Sequence, residues 1–211
     1  MIPIKKGREP GCLTSHRKSG GTYATLPGNC KDKLRTKLVD EQKCICAFCM
    51  ARIYDEAMTT KIAHLQSQVS HPQSQLRYSN LVAACKGGEG LPKKDQHCDT
   101  RQGSTSLTFD PTNVNSAWNT ISYLPDGSIK SSDPALDKEI NEVLGLNVNK
   151  YIVNGRKAAL EKFQKRIPSG TVTKAWLQKE LAEWTGQNGS KAVEPYSGVV
   201  TYYIKKKLAR L

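Results

Sequence analysis

The chain has 211 residues, with 32 Lys+Arg against 19 Asp+Glu and a formal net charge of +13. That length can bury a real core in one elaborated domain or two small ones, and no run approaches the roughly 18 to 20 apolar residues that cross a bilayer. The opening Met-Ile-Pro-Ile-Lys-Lys-Gly-Arg-Glu-Pro lacks a secretory h-region, and 24% charged with 37% hydrophobic residues suits a folded, soluble, cytoplasmic protein.

Residues 1–30 are rich in Gly, Pro, Ser and Lys without a clear period, and read as an arm or extended loop. Leu34, Leu38 and Val39 then share one face of a short amphipathic helix over 31–43. A cysteine-rich middle follows at 44–103, with no long helical period. Ser122–Lys130 predicts a hairpin, because Pro-Asp-Gly supplies turn chemistry between two strand-like runs. Four helices are predicted beyond it. The first is capped by Asp133-Pro134, buries Leu136, Ile140, Val143 and Leu144, and ends at Gly145. The second runs from about Asn149 to Arg166 with Ile152, Leu160, Phe163 and Ile167 inward. The third follows Thr173 with Leu177, Leu181 and Trp184 and stops at Gly186. The last covers about Gly198 to Leu211, an apolar stripe of Val200, Ile204, Leu208 and Leu211 opposing Lys205, Lys206, Lys207 and Arg210.

The charge is uneven. Residues 1–43 hold 10 basic and 4 acidic side chains and residues 150–211 hold 13 and 4, whereas the middle, 44–110, holds 7 and 6. Basic flanks of this kind draw a polyanion towards a near-neutral centre. Lys205, Lys206, Lys207 and Arg210 are accordingly candidate nucleic-acid contacts, although the same helix suits docking on a protein partner.

Seven cysteines in a reducing compartment read as metal ligands before disulfides. Cys46-Ala-Phe-Cys49 is a knuckle whose two thiolates converge on one ion, and Cys85 and Cys98 can complete a tetrahedral zinc site. Cys44 is a competing fifth thiol, and His97 an alternative to Cys98. Cys12 and Cys30 fall in the arm and are expected to carry no chemistry.

Between and beyond the cysteine pairs stand Ile62-Ala-His64 with Pro72 following, Tyr78-Ser-Asn80-Leu81, and His97-Cys98-Asp99. This order resembles the HNH endonucleases, whose ββα-metal finger is often stapled by four cysteines, and among them the retron-associated and Septu-type (PtuB-like) proteins of anti-phage defence. Leu144-Gly-Leu-Asn-Val-Asn149 and Asn154-Gly-Arg-Lys157 are similar to the same branch. The resemblance implies that His64 is the general base, that Asn80 ties down the loop carrying it, and that Asp99 is a ligand of a catalytic Mg²⁺ or another divalent cation. It also implies a PtuA-like ATPase partner, with a retron reverse transcriptase and its DNA product as further components. One departure stands out: where family members carry Asp or Glu before the base, this chain has Ala63. The metal must then lean on Asp99, waters and phosphate, or on a residue such as His71.

The expected fold class is α+β: a basic N-terminal arm and short helix (1–43), a zinc-stapled ββα-metal HNH module (44–110), and a hairpin with a helical C-terminal half (111–211). The expected function is metal-dependent hydrolysis of phosphodiester bonds in DNA or RNA, tRNA included, as a toxic defence effector. The alternative is a zinc-stabilised nucleic-acid-binding module without catalysis.

Overall fold

Hydrophobic spacing and turn chemistry become a mixed α+β protein in the computed structural model, which describes residues 1–113 and 117–211. The elements in chain order are α1 (Gly11–Lys18), α2 (Gly28–Glu41), β1 (Thr60–His64), β2 (Leu81–Cys85), α3 (Cys98–Gln102), β3 (Ile121–Tyr123), β4 (Ile129–Ser131), α4 (Pro134–Lys138), α5 (Lys150–Gln164), α6 (Lys174–Thr185) and α7 (Ser197–Leu208). Each of the two sheets is a single antiparallel pair, β1 with β2 and β3 with β4.

The N-terminal segment differs from the arm that its composition suggests. Its apolar residues are few but all find cover: Met1, Ile4, Leu13 and Leu26 are buried with Leu34, Leu38 and Val39 of α2. A disulfide joins Cys12 of α1 to Cys30 of α2, so these two cysteines do carry chemistry. Local sequence could not reveal this, because the pairing depends on how α1 turns back onto α2. An 18-residue separation makes such a cross-link worth about 3 kcal/mol in the chain-entropy account.

The ββα unit forms where expected. β1 and β2 pair in the register Thr60↔Cys85 through His64↔Leu81, and α3 packs against both strands. β2 is apolar throughout (Leu-Val-Ala-Ala-Cys), with Leu81 to Ala84 all buried. Its backbone is extended by a side chain: the buried Gln42 accepts from Ala83 N at 2.7 Å and donates to Ala83 O at 2.7 Å.

The C-terminal half follows its caps and stops. Asp133 accepts from Ala135 N and Leu136 N, Asn149 from Tyr151 N, and Thr173 from Trp176 N. α4 passes into a π-helical turn at Glu139–Val143 that keeps Ile140 buried, and Gly145 and Gly186 take the left-handed conformation that ends each run. Phe163 lies at the centre of the helical layer, with the rings of Trp176, Trp184 and Tyr203 within 5.8 to 6.2 Å. Val200 and Ile204 of α7 are fully buried against α5, α6 and β3, whereas Leu211 lies beyond the helix and is exposed. The α7 stripe is thus core, not a free docking face. Arg156 is buried and donates to Gly127 O, Leu146 O and Asn147 Oδ1, tying the hairpin turn to the segment before α5. Both similarity segments at 144–149 and 154–157 therefore meet at one cation.

Candidate active site and metal centre

Four cysteines close one end of the ββα unit. In the knuckle, Met50 N bonds back to Cys46 O at 3.0 Å and Cys46 N bonds to Ala51 O at 2.9 Å, which brings Cys49 round beside Cys46. Met50 takes φ 64° to make the turn. β2 delivers Cys85 at its last residue, and α3 begins with Cys98 at φ 54°. The polar loop between them is clamped by Gly87, where a Cβ would come within 2.0 Å of His97 O. Only glycine allows that approach, which pairs His97 N with Gly87 O at 2.9 Å.

All four sulfurs lie within 4.8 Å of one another. Cys46 to Cys98 is 3.9 Å and Cys49 to Cys85 is 3.7 Å. A tetrahedron with Zn–S bonds near 2.3 Å has edges of about 3.8 Å, so the quartet fits a zinc ion. Burial holds the Cys98 thiol well above the usual range, while hydrogen bonds from Cys46, Cys49, Cys98 and His97 pull Cys85 well below it. Buried thiolates need a cation to neutralise them. His97 stands beside the cluster instead of within it: Nδ1 is 3.2 Å from Cys98 Sγ and 3.9 Å from Cys85 Sγ, placed to donate an N–H to thiolate. Cys44 stays outside the quartet.

His64 ends β1, at the mouth of a cleft of about 310 Å³ that also takes in Lys61, Ser67, Gln68, Asp99 and Thr100. Its Nε2 donates to Gln75 O at 3.0 Å, which fixes the tautomer and leaves Nδ1 as the acceptor, taking a hydrogen bond from Gln68 Nε2 at 3.4 Å. Tyr23 meets the imidazole edge-on at a centroid distance of 4.6 Å. Burial lowers the His64 pKa, opposed by the Gln75 carbonyl, so the ring is neutral at neutral pH.

Asn80 holds the loop after β1 closed. Its Oδ1 accepts from Gln66 N at 2.7 Å, and its Nδ2 donates to Gln66 O and Ser74 O, each at 3.1 Å. Asp99, in the first turn of α3, faces the same cleft; burial raises its carboxyl pKa, opposed by Lys61. His71 is a loop residue held by Ser106 Oγ at 3.2 Å and does not line the cleft. Ala63 is fully buried.

A catalytic divalent ion finds a poor donor set here. Among the described residues the cysteine quartet is the one group of three or more His, Cys, Asp or Glu able to hold a metal. In the cleft Asp99 is the single carboxylate lining the wall, and it already faces the Lys61 ammonium at 3.9 Å.

Several side chains of the site escape sequence reasoning. Gln102 donates to His64 O, Leu65 O and Thr105 O, so α3 grips the backbone at His64. Tyr23 and Arg17, which donates to Leu76 O, bring the α1–α2 segment against the His64 loop. Only a contact map could have found them, since Gln102 lies 38 residues from His64, and Arg17 lies 59 from Leu76. Lys206, Lys207 and Arg210 line a separate groove of about 670 Å³, floored by residues such as Leu160, Leu177 and Val199, while Lys205 turns to the other side of α7. The four cations do not form one face.

No protein-family model and no curated protein matches the chain. No helix among the described residues is long and apolar enough to cross a membrane.

Proposed function

We propose that the chain is an HNH-type endonuclease: a zinc-stapled ββα module that hydrolyses phosphodiester bonds of DNA or RNA. The observation that carries this reading is the His64 environment, in which a neutral imidazole holds Nδ1 as an acceptor against Gln68, in a cleft shared with Asp99. A water that takes the place of the Gln68 amide at Nδ1 loses its proton to the ring as its oxygen attacks phosphorus. The bond from phosphorus to the leaving oxygen breaks, and that oxygen takes up a proton from solvent. Gln75 O orients the ring throughout, and Asn80 and Gln102 fix the backbone on either side of it. The motif resemblance adds a divalent cation such as Mg²⁺, but the donor set here does not fit a resident one.

The biological setting rests on the same motifs. It is anti-phage defence of the retron or Septu type, with a PtuA-like ATPase partner and, in retrons, a reverse transcriptase and its DNA product. Ala63 and the single carboxylate of the cleft favour a second reading, a zinc-stabilised nucleic-acid-binding module without catalysis. Incubation with plasmid, single-stranded DNA and tRNA across a divalent-metal titration separates the two. The nuclease reading expects cleavage by the native protein and a loss of about 10² to 10⁴ in rate for His64→Ala, with fold and zinc retained. Binding without cleavage at any metal concentration favours the second.

A further inference from the structure

One charged group in the cleft has no part in the chemistry above. Lys61 lies three residues before His64 on β1, and its Nζ is 2.7 Å from Glu89 Oε1 and 3.9 Å from Asp99 Oδ2, and donates to Thr100 Oγ1 at 3.0 Å. Residues two apart on a strand share a face, so Lys61 and Ala63 face the same way, and the Thr100 and Asp99 contacts place that face against α3. At position 63 the buried methyl brings no charge. The charge opposite Asp99 is supplied instead by the ammonium. Glu89 is exposed at the rim and shared with Lys86, which leaves Asp99 as the inner counter-charge. An octahedral ion with oxygen ligands would have to displace Lys61 to gain one carboxylate.

We propose that the Lys61 ammonium, not a divalent ion, is the resident cation of this cleft and the group that meets a non-bridging oxygen of the scissile phosphate. The second half rests on the nuclease reading; the first does not. A fixed ammonium hydrogen-bonded by Thr100 is preorganised for charge that grows on the phosphate during attack, and Asp99 and Glu89 hold it in place until the phosphate arrives.

The test uses the zinc-loaded full-length protein and Mn²⁺ as the probe, with free Mn²⁺ followed by electron paramagnetic resonance. The native protein is expected to bind no Mn²⁺ that Asp99→Asn removes. Lys61→Met, alone and with Ala63→Glu, is expected to gain an Asp99-dependent site at least roughly tenfold tighter, as expected when a competing charge leaves and a ligand enters. Position 63 is buried, so Lys61→Met alone decides if the double variant loses its zinc or its circular dichroism signal. In parallel, cleavage in chelator-buffered solution that leaves the zinc in place is expected to persist for the native protein. It should fall about 10²- to 10³-fold in Lys61→Met and recover in part in Lys61→Arg. Asp99-dependent Mn²⁺ binding by the native protein as tight as in the variants overturns the proposal, as does cleavage that requires added divalent ion and ignores Lys61→Met. Absence of cleavage under every condition removes the nuclease reading and the phosphate contact with it, while the Mn²⁺ titration still decides which cation resides beside Asp99.

Discussion

Replacing Asn80 by alanine removes three hydrogen bonds from one buried amide and leaves their partners stranded. Gln66 N–H, Gln66 O and Ser74 O would each lose the side-chain atom now 2.7 to 3.1 Å away. A net value near 1 kcal/mol per bond, with part of the desolvation cost for partners that water cannot reach, gives a loss of about 3 to 4 kcal/mol. Asn80→Asp keeps the acceptor for Gln66 N–H but turns the Nδ2 position into a carboxylate oxygen facing two carbonyls, and should be at least as damaging. Urea unfolding at saturating zinc measures the total, and amide exchange at Gln66 reads the local effect. In Asn80→Ala the Gln66 amide should exchange much faster while amides of α5 to α7 keep their relative protection. A loss below about 1 kcal/mol, or unchanged exchange at Gln66, would refute the claim that this side chain closes the loop that follows His64.

Cys98→Ser should strip the zinc and unfold the middle of the chain, because structural zinc supplies on the order of 10 kcal/mol of apparent binding free energy; elemental analysis and circular dichroism read both, and a folded zinc-free variant would refute it. Burial depresses the folded-state pKa of His64 below its ordinary 6.5, so the unfolded chain binds the extra proton first. The contribution of this residue to stability is therefore complete above about pH 6.5 and is lost as pH falls below it. Native urea midpoints should drop through that window more steeply than those of His64→Gln, and parallel profiles would count against a desolvated ring. Phe163→Ala should cost about 3 to 5 kcal/mol in urea unfolding, since the ring is fully buried among Trp176, Trp184 and Tyr203.

Much of the C-terminal half was legible from local signals. Caps at Asp133, Asn149 and Thr173 and stops at Gly145 and Gly186 act within one turn of where they stand. The cysteine quartet was legible for a similar reason: a knuckle needs only four residues, and two further thiols nearby can complete a tetrahedron. What escaped was decided across the chain. The Cys12–Cys30 bond, the Tyr23–His64 contact and the Gln42 extension of β2 each join segments whose meeting depends on how helices fold back, and no local period encodes that. The α7 stripe shows the converse. Its pattern fitted either core or interface, and only the presence of α5 and α6 above it decides for core.

The ladder between β1 and β2 has a further consequence. Cys85 stands opposite Thr60, and His64 stands opposite Leu81. Side chains alternate along a strand, so a slip of one residue would turn every side chain of the slipped strand to the other face. With Cys85 held among the sulfurs, β2 cannot slip without expelling a ligand, and β1 cannot slip against it without turning His64 away from the cleft. A metal ion held by the quartet would therefore act as a proofreader of strand alignment. The four-residue knuckle Cys46–Cys49 is the shortest loop of the site and the one whose closure costs least. Capture of Cys85 by a metal-loaded half-site would select, among the pairings open to two five-residue strands, the one that delivers an imidazole to the cleft.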